Sequence, residues 1–160
     1  MSSVIRKVDY SVLRSNQAVI IGLLIAAFVV DATWVAGFVT LVMLFGTFVT
    51  QKAGFAPIYF RVLKPLNIIK PDVIEDNPEP HLFAQGFGGV VMLLAVLALY
   101  AGASILGWAL VWLVIFLAAL NLFVGFCVGC MVYYWLNRLG LPGFSARALP
   151  GVFPGMRPNK

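Results

Sequence analysis

Charged side chains are scarce in this chain, and that scarcity excludes most classes of protein. Only 11% of the 160 residues are Asp, Glu, Lys or Arg, whereas 62% are hydrophobic. A soluble domain normally carries about 25% charged residues, so the composition predicts an integral membrane protein. The net charge of +5 then reflects the side of the membrane on which the basic residues lie, and it is no indication of nucleic acid binding.

Cysteine and histidine are scarcer still, with two cysteines and one histidine, His81. An electron relay between two cysteine pairs is therefore excluded within the chain itself. Met131 follows the second cysteine, so the haem attachment pattern C-x-x-C-H is absent. What the chain does have is Cys127-Val128-Gly129-Cys130, a thiol pair that can form a disulfide, bind a soft metal or transfer sulfur.

Long apolar runs are abundant, and each needs about 20 residues to cross a bilayer. Four stretches qualify, at residues 16–30, 34–50, 82–101 and 107–136. They predict an all-α membrane protein in which four transmembrane helices form two hairpins in a bundle. Asp31 is expected to be a turn residue between the first two helices. The fourth run is longer than a bilayer requires, so we expect one long helix that tilts or projects from the membrane.

The spans divide the chain into five segments. These are a cytoplasmic amphipathic arm (1–15), a first transmembrane hairpin (16–50), a cytoplasmic connection (51–81), a second hairpin with the CxxC (82–138) and a Pro/Gly-rich cytoplasmic tail (139–160). Within the connection, residues 57–65 predict an interfacial helix, and residues 70–80 predict a loop without regular structure.

Ten of the eleven Lys and Arg residues lie in the arm, the connection or the tail, the other, Arg138, is the last residue of the second hairpin segment, and the two hairpin tips have none. By the positive-inside rule, both termini and the connection are expected in the cytoplasm, at a bacterial cytoplasmic membrane. The two halves also show a weak repeat when Gln17 is aligned with Gln85, since each half then contains a span, a short tip and a second span.

The thiol pair has two interpretations. On one continuous helix both sulfurs would face the same way near the cytoplasmic edge of the membrane, and in that reducing compartment they would rest as thiols. The pair would lie toward the carboxyl end of the helix, where the dipole opposes a thiolate, so we expect a thiol pKa at or above the free value of about 8.5. In the second interpretation the cysteines only pack, since Asn121, Gly125 and Gly129 recur at four-residue intervals typical of a close helix contact.

A few polar residues near the span ends are candidates for a supporting role. Asn16 is expected to cap the first span, Gln17 and Gln85 begin the first and third spans, and amides at such positions commonly bond across helices. His81 precedes the third span on the side of the thiols. With Cys127 and Cys130 it forms the candidate set of metal ligands.

Three motifs resemble a known family. They are Arg14-Ser15-Asn16-Gln17, the acidic segment 75–81 leading into Phe83-Ala84-Gln85, and the segment 121–130 that ends in the CxxC. Together they are similar to the uncharacterised bacterial membrane-protein family known as domain of unknown function 4395, over roughly residues 8–138. The resemblance implies four spans and, because members are sometimes encoded near thioredoxin-like or sulfur-transfer proteins, thiol or sulfur chemistry. The chain departs from the family at Leu82, where an Arg is expected, and the tail from residue 140 lies outside the resemblance.

Two functions follow as hypotheses. In the first, Cys127 and Cys130 exchange electrons or sulfur with a soluble thioredoxin-like or sulfurtransferase partner at the inner leaflet. In the second, the protein is a structural or accessory subunit of a larger membrane complex, and its cysteines pack. A transporter is disfavoured because the spans contain no charged residues. The sequence identifies no quinone, metal or other cofactor.

Overall fold

The computed structural model describes residues 6–66 and 69–158. In chain order its elements are β1 (Arg6–Asp9), α1 (Tyr10–Val29), α2 (Thr33–Phe45), α3 (Ala56–Ile58), β2 (Val73–Asp76), α4 (Pro78–Tyr100), α5 (Ser104–Ala119) and α6 (Val128–Arg138). Five-residue π-helical segments extend α2 (Gly46–Thr50), α3 (Tyr59–Leu63) and α5 (Leu120–Val124). The described chain is therefore mostly helical, as predicted.

Four helices are long and apolar enough to cross a membrane, which confirms the predicted number of spans among the described residues. They run over Tyr10–Val29, Thr33–Thr50, Pro78–Tyr100 and Ser104–Val124. The first begins at Tyr10, where the carboxylate of Asp9 accepts a hydrogen bond from the backbone N–H of Ser11 and caps the helix. The expectation that Asn16 caps this helix is therefore wrong, since Asn16 lies within it.

The prediction of an all-α fold needs one correction, because β1 and β2 form a two-stranded antiparallel ribbon. Val8 pairs with Ile74 in the register, and both side chains are buried in a small apolar cluster with Tyr10. Lys7 lies opposite Glu75, a favourable cross-strand pair. β1 lies in the middle of the predicted amphipathic arm, whose residues 10–15 belong to α1, and β2 lies within the predicted irregular loop.

The main apolar core lies between the four long helices. Its fully buried members include Leu24, Ala36, Val39, Met92, Ala95 and Val111. Many large apolar side chains on the same helices are instead exposed, among them Leu41, Phe45, Leu97, Ile105 and Phe116. Exposed apolar surface on this scale is typical of helices that face lipid.

The two halves share one order of elements. Each has a long helix, a tip residue with a left-handed backbone (Asp31, φ 50°; Gly102, φ 82°), a second helix, a π segment and another left-handed residue (Gln51, φ 51°; Gly125, φ 71°). Asp31 is thus a turn residue, as predicted. We call residues 46–55 the first joint and residues 120–127 the second joint. The shared order supports the repeat indicated by Gln17 and Gln85.

Candidate functional site

The second joint interrupts what was predicted to be one helix over residues 107–136, so that prediction is wrong. The π segment ends at Val124, and Gly125 takes a left-handed conformation that ends the helix. The freed backbone groups find partners in the tail. Cys127 N–H donates to the carbonyl of Gly155 at 2.8 Å, and Arg157 N–H donates to the carbonyl of Gly125 at 3.0 Å. Main-chain groups of the tail thereby form the hydrogen bonds that the interruption of the helix leaves open.

Cys127 is the N-cap residue of α6. Its backbone is extended, and its Sγ accepts a hydrogen bond from Cys130 N–H at 3.2 Å. The positive end of the α6 dipole is therefore directed at the cysteine pair, which stabilises a thiolate. This reverses the expectation from a continuous helix, in which the dipole opposed the thiolate.

Cys127 and Cys130 are joined by a disulfide, with their Cα atoms 5.2 Å apart. The spacing thus permits the bond, as predicted. Both residues are buried, with 6% and 2% of their surface exposed. That they rest as thiols in the cell stays a prediction, because the redox compartment decides it.

His81 lies against the disulfide from the start of α4. Its Nδ1 is 3.5 Å from the Sγ of Cys130, and its Nε2 is 2.9 Å from Oδ2 of Asp76. A carboxylate accepts hydrogen bonds, so this geometry favours the tautomer with the proton on Nε2. Nδ1 then faces the sulfur as a proton acceptor.

Asp76 holds this arrangement from the end of β2. Its carboxylate also accepts hydrogen bonds from the hydroxyl of Tyr10 and, at 2.7 Å, from the backbone N–H of Asn77. Burial alone would raise the pKa of Asp76, but the hydrogen bonds from His81 and Tyr10 outweigh it, and the pKa lies below its ordinary value. Asp76 is therefore a carboxylate that orients His81.

Sequence reasoning missed Tyr10 and Asp76. Tyr10 was assigned to the amphipathic arm and Asp76 to the irregular loop, and nothing indicated that they would meet. The burial of Val73-Ile74-Glu75-Asp76 alternates between exposed and buried in the structure. The sequence itself does not show this alternation, because two apolar residues are followed by two acidic ones.

The sulfur atoms of Cys127 and Cys130 and one ring nitrogen of His81 all lie within 4.8 Å of one another. Two thiolates and an imidazole suit a soft or borderline metal such as Zn²⁺, and Asp76 would orient the imidazole from the second shell. These atoms fit a metal only when the disulfide is reduced, because a metal binds the thiolate form.

Asn16 on α1 and Gln85 on α4 form hydrogen bonds with the first joint. Gln85 Nε2 is 3.2 Å from the carbonyl oxygens of Met43 and Lys52, and its Oε1 accepts from Gly54 N–H at 3.2 Å. Asn16 Oδ1 accepts from Phe55 N–H at 2.8 Å. These two amides bond across helices, and they contact the first joint, with no hydrogen bond to the described thiol residues.

The predicted face of Asn121, Gly125 and Gly129 is broken by the left-handed Gly125. Gly129 does make a close contact, since a Cβ there would lie 2.6 Å from the Cβ of Ala84 on α4. Gly125 instead faces Arg157. The close-packing surface is therefore the start of α6 against α4, without the other two residues.

Three cavities surround the second joint, and Asn121 lines all of them. The largest, about 360 Å³, lies beside Arg14 and Gln17. One of about 90 Å³ extends into the bundle from Cys127. The smallest, about 20 Å³, is lined by both cysteines and His81. The supporting residues Gln17 and Asn121 thus meet around the cavities, and His81 alone of the predicted polar group contacts a cysteine.

The tail also departs from its prediction as a separate segment. Phe144 packs against Phe83 and Tyr133, with ring centroids 5.4 and 5.0 Å apart. Arg157 forms an ion pair with Asp72, and its guanidinium lies 5.1 Å from the centre of the Tyr10 ring. We call residues 153–158 the strap, since they cross the second joint above the disulfide.

Comparison with known proteins places the chain in a family without indicating an activity. No curated protein and no solved structure matches it. The family model described as a domain of unknown function (DUF4395) matches residues 8–138, which include both hairpins, all of β2 and the second half of β1, the disulfide and His81. The chain therefore belongs to the DUF4395 family.

Proposed function

We propose that the protein is a membrane-bound thiol–disulfide exchange protein whose reacting atoms are the sulfurs of Cys127 and Cys130. One observation carries the proposal, namely that the disulfide lies at the amino end of α6 with His81 and Asp76 in line behind Cys130. Structural cysteines need no such arrangement. Dithiol exchange requires a stabilised thiolate and a base, and both are provided here.

The reaction runs in two balanced steps. An incoming thiolate attacks Cys127 Sγ, which lines two cavities, and the S–S bond breaks with its electron pair on Cys130 Sγ. The departing Cys130 thiolate is held beside His81, and a second thiolate of the partner then attacks the partner's own sulfur in the mixed disulfide, so that Cys127 leaves as a thiolate. In reverse, His81 Nδ1 accepts the Cys130 thiol proton so that this sulfur attacks the mixed disulfide at Cys127. Cys127 is thus the exchanging thiol and Cys130 the resolving thiol.

The partner proposed from the sequence is a soluble thioredoxin-like protein or a sulfurtransferase at the cytoplasmic face, with both termini on that side. The charge distribution supports this orientation, since neither hairpin tip carries a Lys or Arg. A protein partner must displace the strap to reach the sulfurs, because both cysteines are buried beneath it. If sulfur rather than electrons is transferred, the reduced Cys127 thiolate would attack the outer sulfur of a partner persulfide, and the partner's cysteine would leave as a thiolate.

The test is to equilibrate the purified protein in nanodiscs with dithiol redox buffers. We expect one two-electron transition between about −120 and −300 mV. Cys130→Ser should accumulate a mixed disulfide at Cys127, whereas Cys127→Ser should not. His81→Gln should slow resolution of the mixed disulfide, by a factor that shrinks as the pH rises.

Labelling gives the control for this test. In inverted vesicles, a membrane-impermeant maleimide should react with the reduced wild type, and labelling should saturate below the free thiol pKa of about 8.5. Complete protection of both thiols, together with normal cellular thiol metabolism in the double serine variant, would instead support the accessory-subunit hypothesis with packing cysteines.

A metal centre is the second candidate, favoured by the clustering of Cys127, Cys130 and His81 within 4.8 Å. The reduced protein would then bind one Zn²⁺, and His81→Gln would weaken that binding while Arg61→Gln would not. Competition with a chromogenic chelator measures the bound Zn²⁺. If the reduced protein does not bind one equivalent, the metal centre is rejected and thiol–disulfide exchange is the remaining candidate function.

A further inference from the structure

The cavity of about 360 Å³ lies beside the disulfide and has no role in the chemistry described so far. It is bounded by the start of α1, the π segment after α5 and the end of the strap. It shares five lining residues with the small cavity that contains both cysteines, namely Tyr10, Asn121, Gly125, Met156 and Arg157. A small molecule anchored in the large cavity can therefore extend past these shared residues toward the small cavity, which both cysteines line.

Three polar side chains line this cavity without a partner of their own. In the described part of the chain, Arg14, Gln17 and Asn121 make no hydrogen bond or ion pair. Arg14 and Gln17 lie three residues apart on α1, hence on one face of the helix. Three unpaired polar groups on two elements that converge on one cavity are typical of a ligand site.

The repeat provides an independent comparison. Gln85, the counterpart of Gln17, fills the first joint with hydrogen bonds to Met43, Lys52 and Gly54. At the second joint, the tail main chain already satisfies Gly125 and Cys127, so the amide of Gln17 has no backbone to bind. The equivalent amide is therefore committed to hydrogen bonds in one half and is available to a ligand in the other.

The charge of the cavity indicates the kind of ligand. Arg14 and Arg157 both line it, and none of the residues that line it is acidic. Arg157 is paired with Asp72, whereas Arg14 is available to an anion. Guanidinium groups with amides beside them are suited to binding carboxylates.

We propose that this cavity binds a small thiol that carries a carboxylate, or the corresponding disulfide, and places its sulfur toward Cys127. The inference rests on the proposed function and specifies its substrate class. The bound thiolate attacks Cys127 Sγ and Cys130 departs as a thiolate. A second molecule of the same thiol then attacks the sulfur of the first molecule in the mixed disulfide, and Cys127 departs as a thiolate. Two thiol molecules thus become one disulfide, and the protein becomes a dithiol.

The experiment compares three small thiols of different charge, mercaptoacetate, 2-mercaptoethanol and cysteamine. Their rates of reducing the Cys127–Cys130 disulfide are measured in nanodiscs of neutral lipid and corrected for the fraction of thiolate. In the wild type the corrected rate should be highest for the anionic thiol, lower for the neutral one and lowest for the cationic one. Arg14→Gln should lower the ratio of mercaptoacetate to cysteamine by about two- to fivefold, the size expected for one partly exposed charge pair.

Two control variants separate a bound anion from a general field. Arg61→Gln removes an exposed positive charge from the interfacial segment, outside the lining of this cavity, and should leave the ratio unchanged. Arg14→Lys keeps the charge and should restore most of the ratio. An equal ratio in wild type and Arg14→Gln, or an equal fall in Arg61→Gln, would overturn the assignment.

A non-reacting probe distinguishes failure of the cavity from failure of the function. (Methylthio)acetate has the carboxylate but no thiol, and it should inhibit reduction by 2-mercaptoethanol competitively in the wild type and more weakly in Arg14→Gln. Should it protect the disulfide from phosphine reduction while no thiol exchanges, the cavity assignment stands and the proposed function fails. Exchange with a thioredoxin-like protein alone, without any effect of the probe, would reject the small-molecule site and retain the function.

Discussion

The two joints have the same backbone order but are completed by different chemistry. In the first joint, side-chain amides from α1 and α4 satisfy the backbone, with Asn16 bonded to Phe55 and Gln85 bonded to Met43, Lys52 and Gly54. In the second joint, main-chain groups of the strap perform that task. In the first joint the amides are committed to hydrogen bonds within the protein. A joint completed by a strap leaves its side chains available for a site.

The residue before the short helix shows the difference at one position. Phe55 precedes α3 and Cys127 precedes α6, and each is buried with its N–H bonded to another segment. An apolar ring at this position only fills space. A cysteine at the same position caps a helix and receives the positive end of its dipole.

The largest effect that should distinguish the joints comes from their equivalent amides. Gln85→Leu leaves the carbonyl of Lys52 and the N–H of Gly54 without their side-chain partner and removes one of the hydrogen bonds to the carbonyl of Met43. We expect a loss of about 3 kcal/mol in the free energy of unfolding. Gln17→Leu removes an amide that has no hydrogen bond in the described chain, so it should cost less than about 1 kcal/mol. Unfolding in mixed detergent micelles measures both, and equal losses would show that the joints are equally filled.

A second test addresses the close contact at the start of α6. Gly129→Leu places a side chain where a Cβ alone would lie 2.6 Å from the Cβ of Ala84, so we expect a cost of about 2 kcal/mol and loss of exchange activity as α6 is displaced. Gly22→Leu is the matched control, since nothing lies within 4 Å of a Cβ at that exposed position on α1. Thermal unfolding of the two variants compares them. Wild-type stability in Gly129→Leu would mean that α6 does not pack on α4.

The smallest expected effect is the pH dependence of the stability that Asp76 contributes beside the second joint. The pKa of Asp76 lies below its ordinary value of 3.8, so the unfolded state takes up the proton first as the pH falls. The stability contributed by Asp76 is therefore present above that value and is lost as the pH decreases through the lower, folded pKa. Asp76→Asn should cost about 1 kcal/mol at neutral pH, and this difference should shrink in acid.

Gln85→Leu supplies the contrast for the pH series, because an amide does not titrate in this range. Its cost should stay constant from neutral pH into acid. Unfolding measured between pH 7 and pH 3 decides between the two patterns. A cost for Asp76→Asn that is equally constant would show that Asp76 is not a carboxylate in the folded protein.

Much of the bundle could be predicted from the apolar runs, because lipid requires about 20 such residues for each span. The interruption of the helix at Gly125 could not be predicted from these runs. The run 107–136 contains no charged residue and no proline, and the groups that satisfy the break belong to Gly155 and Arg157, far along the chain. Non-helical backbone within a bilayer is stable only where other parts of the protein cover it.

The thiol pair could be recognised from its spacing, but its surroundings could not. Local sequence relates Cys127 to Cys130, whereas Tyr10 and Asp76 reach His81 only through a ribbon between segments more than sixty residues apart. Four-residue strands carry little periodic signal. The predicted effect of the helix dipole on the thiol pKa was wrong for a related reason. A carboxyl end at Cys127 would raise this pKa, whereas the amino end that lies there lowers it.

The strap also sets the order in which the protein can mature. Both hairpins and the cysteine pair are synthesised before Gly155 and Arg157, the residues that bond to Cys127 and Gly125 across the second joint. The thiols therefore have their cover only once the strap has docked. Oxidation, persulfide loading or metal delivery by a biogenesis factor would meet the least obstruction before that docking.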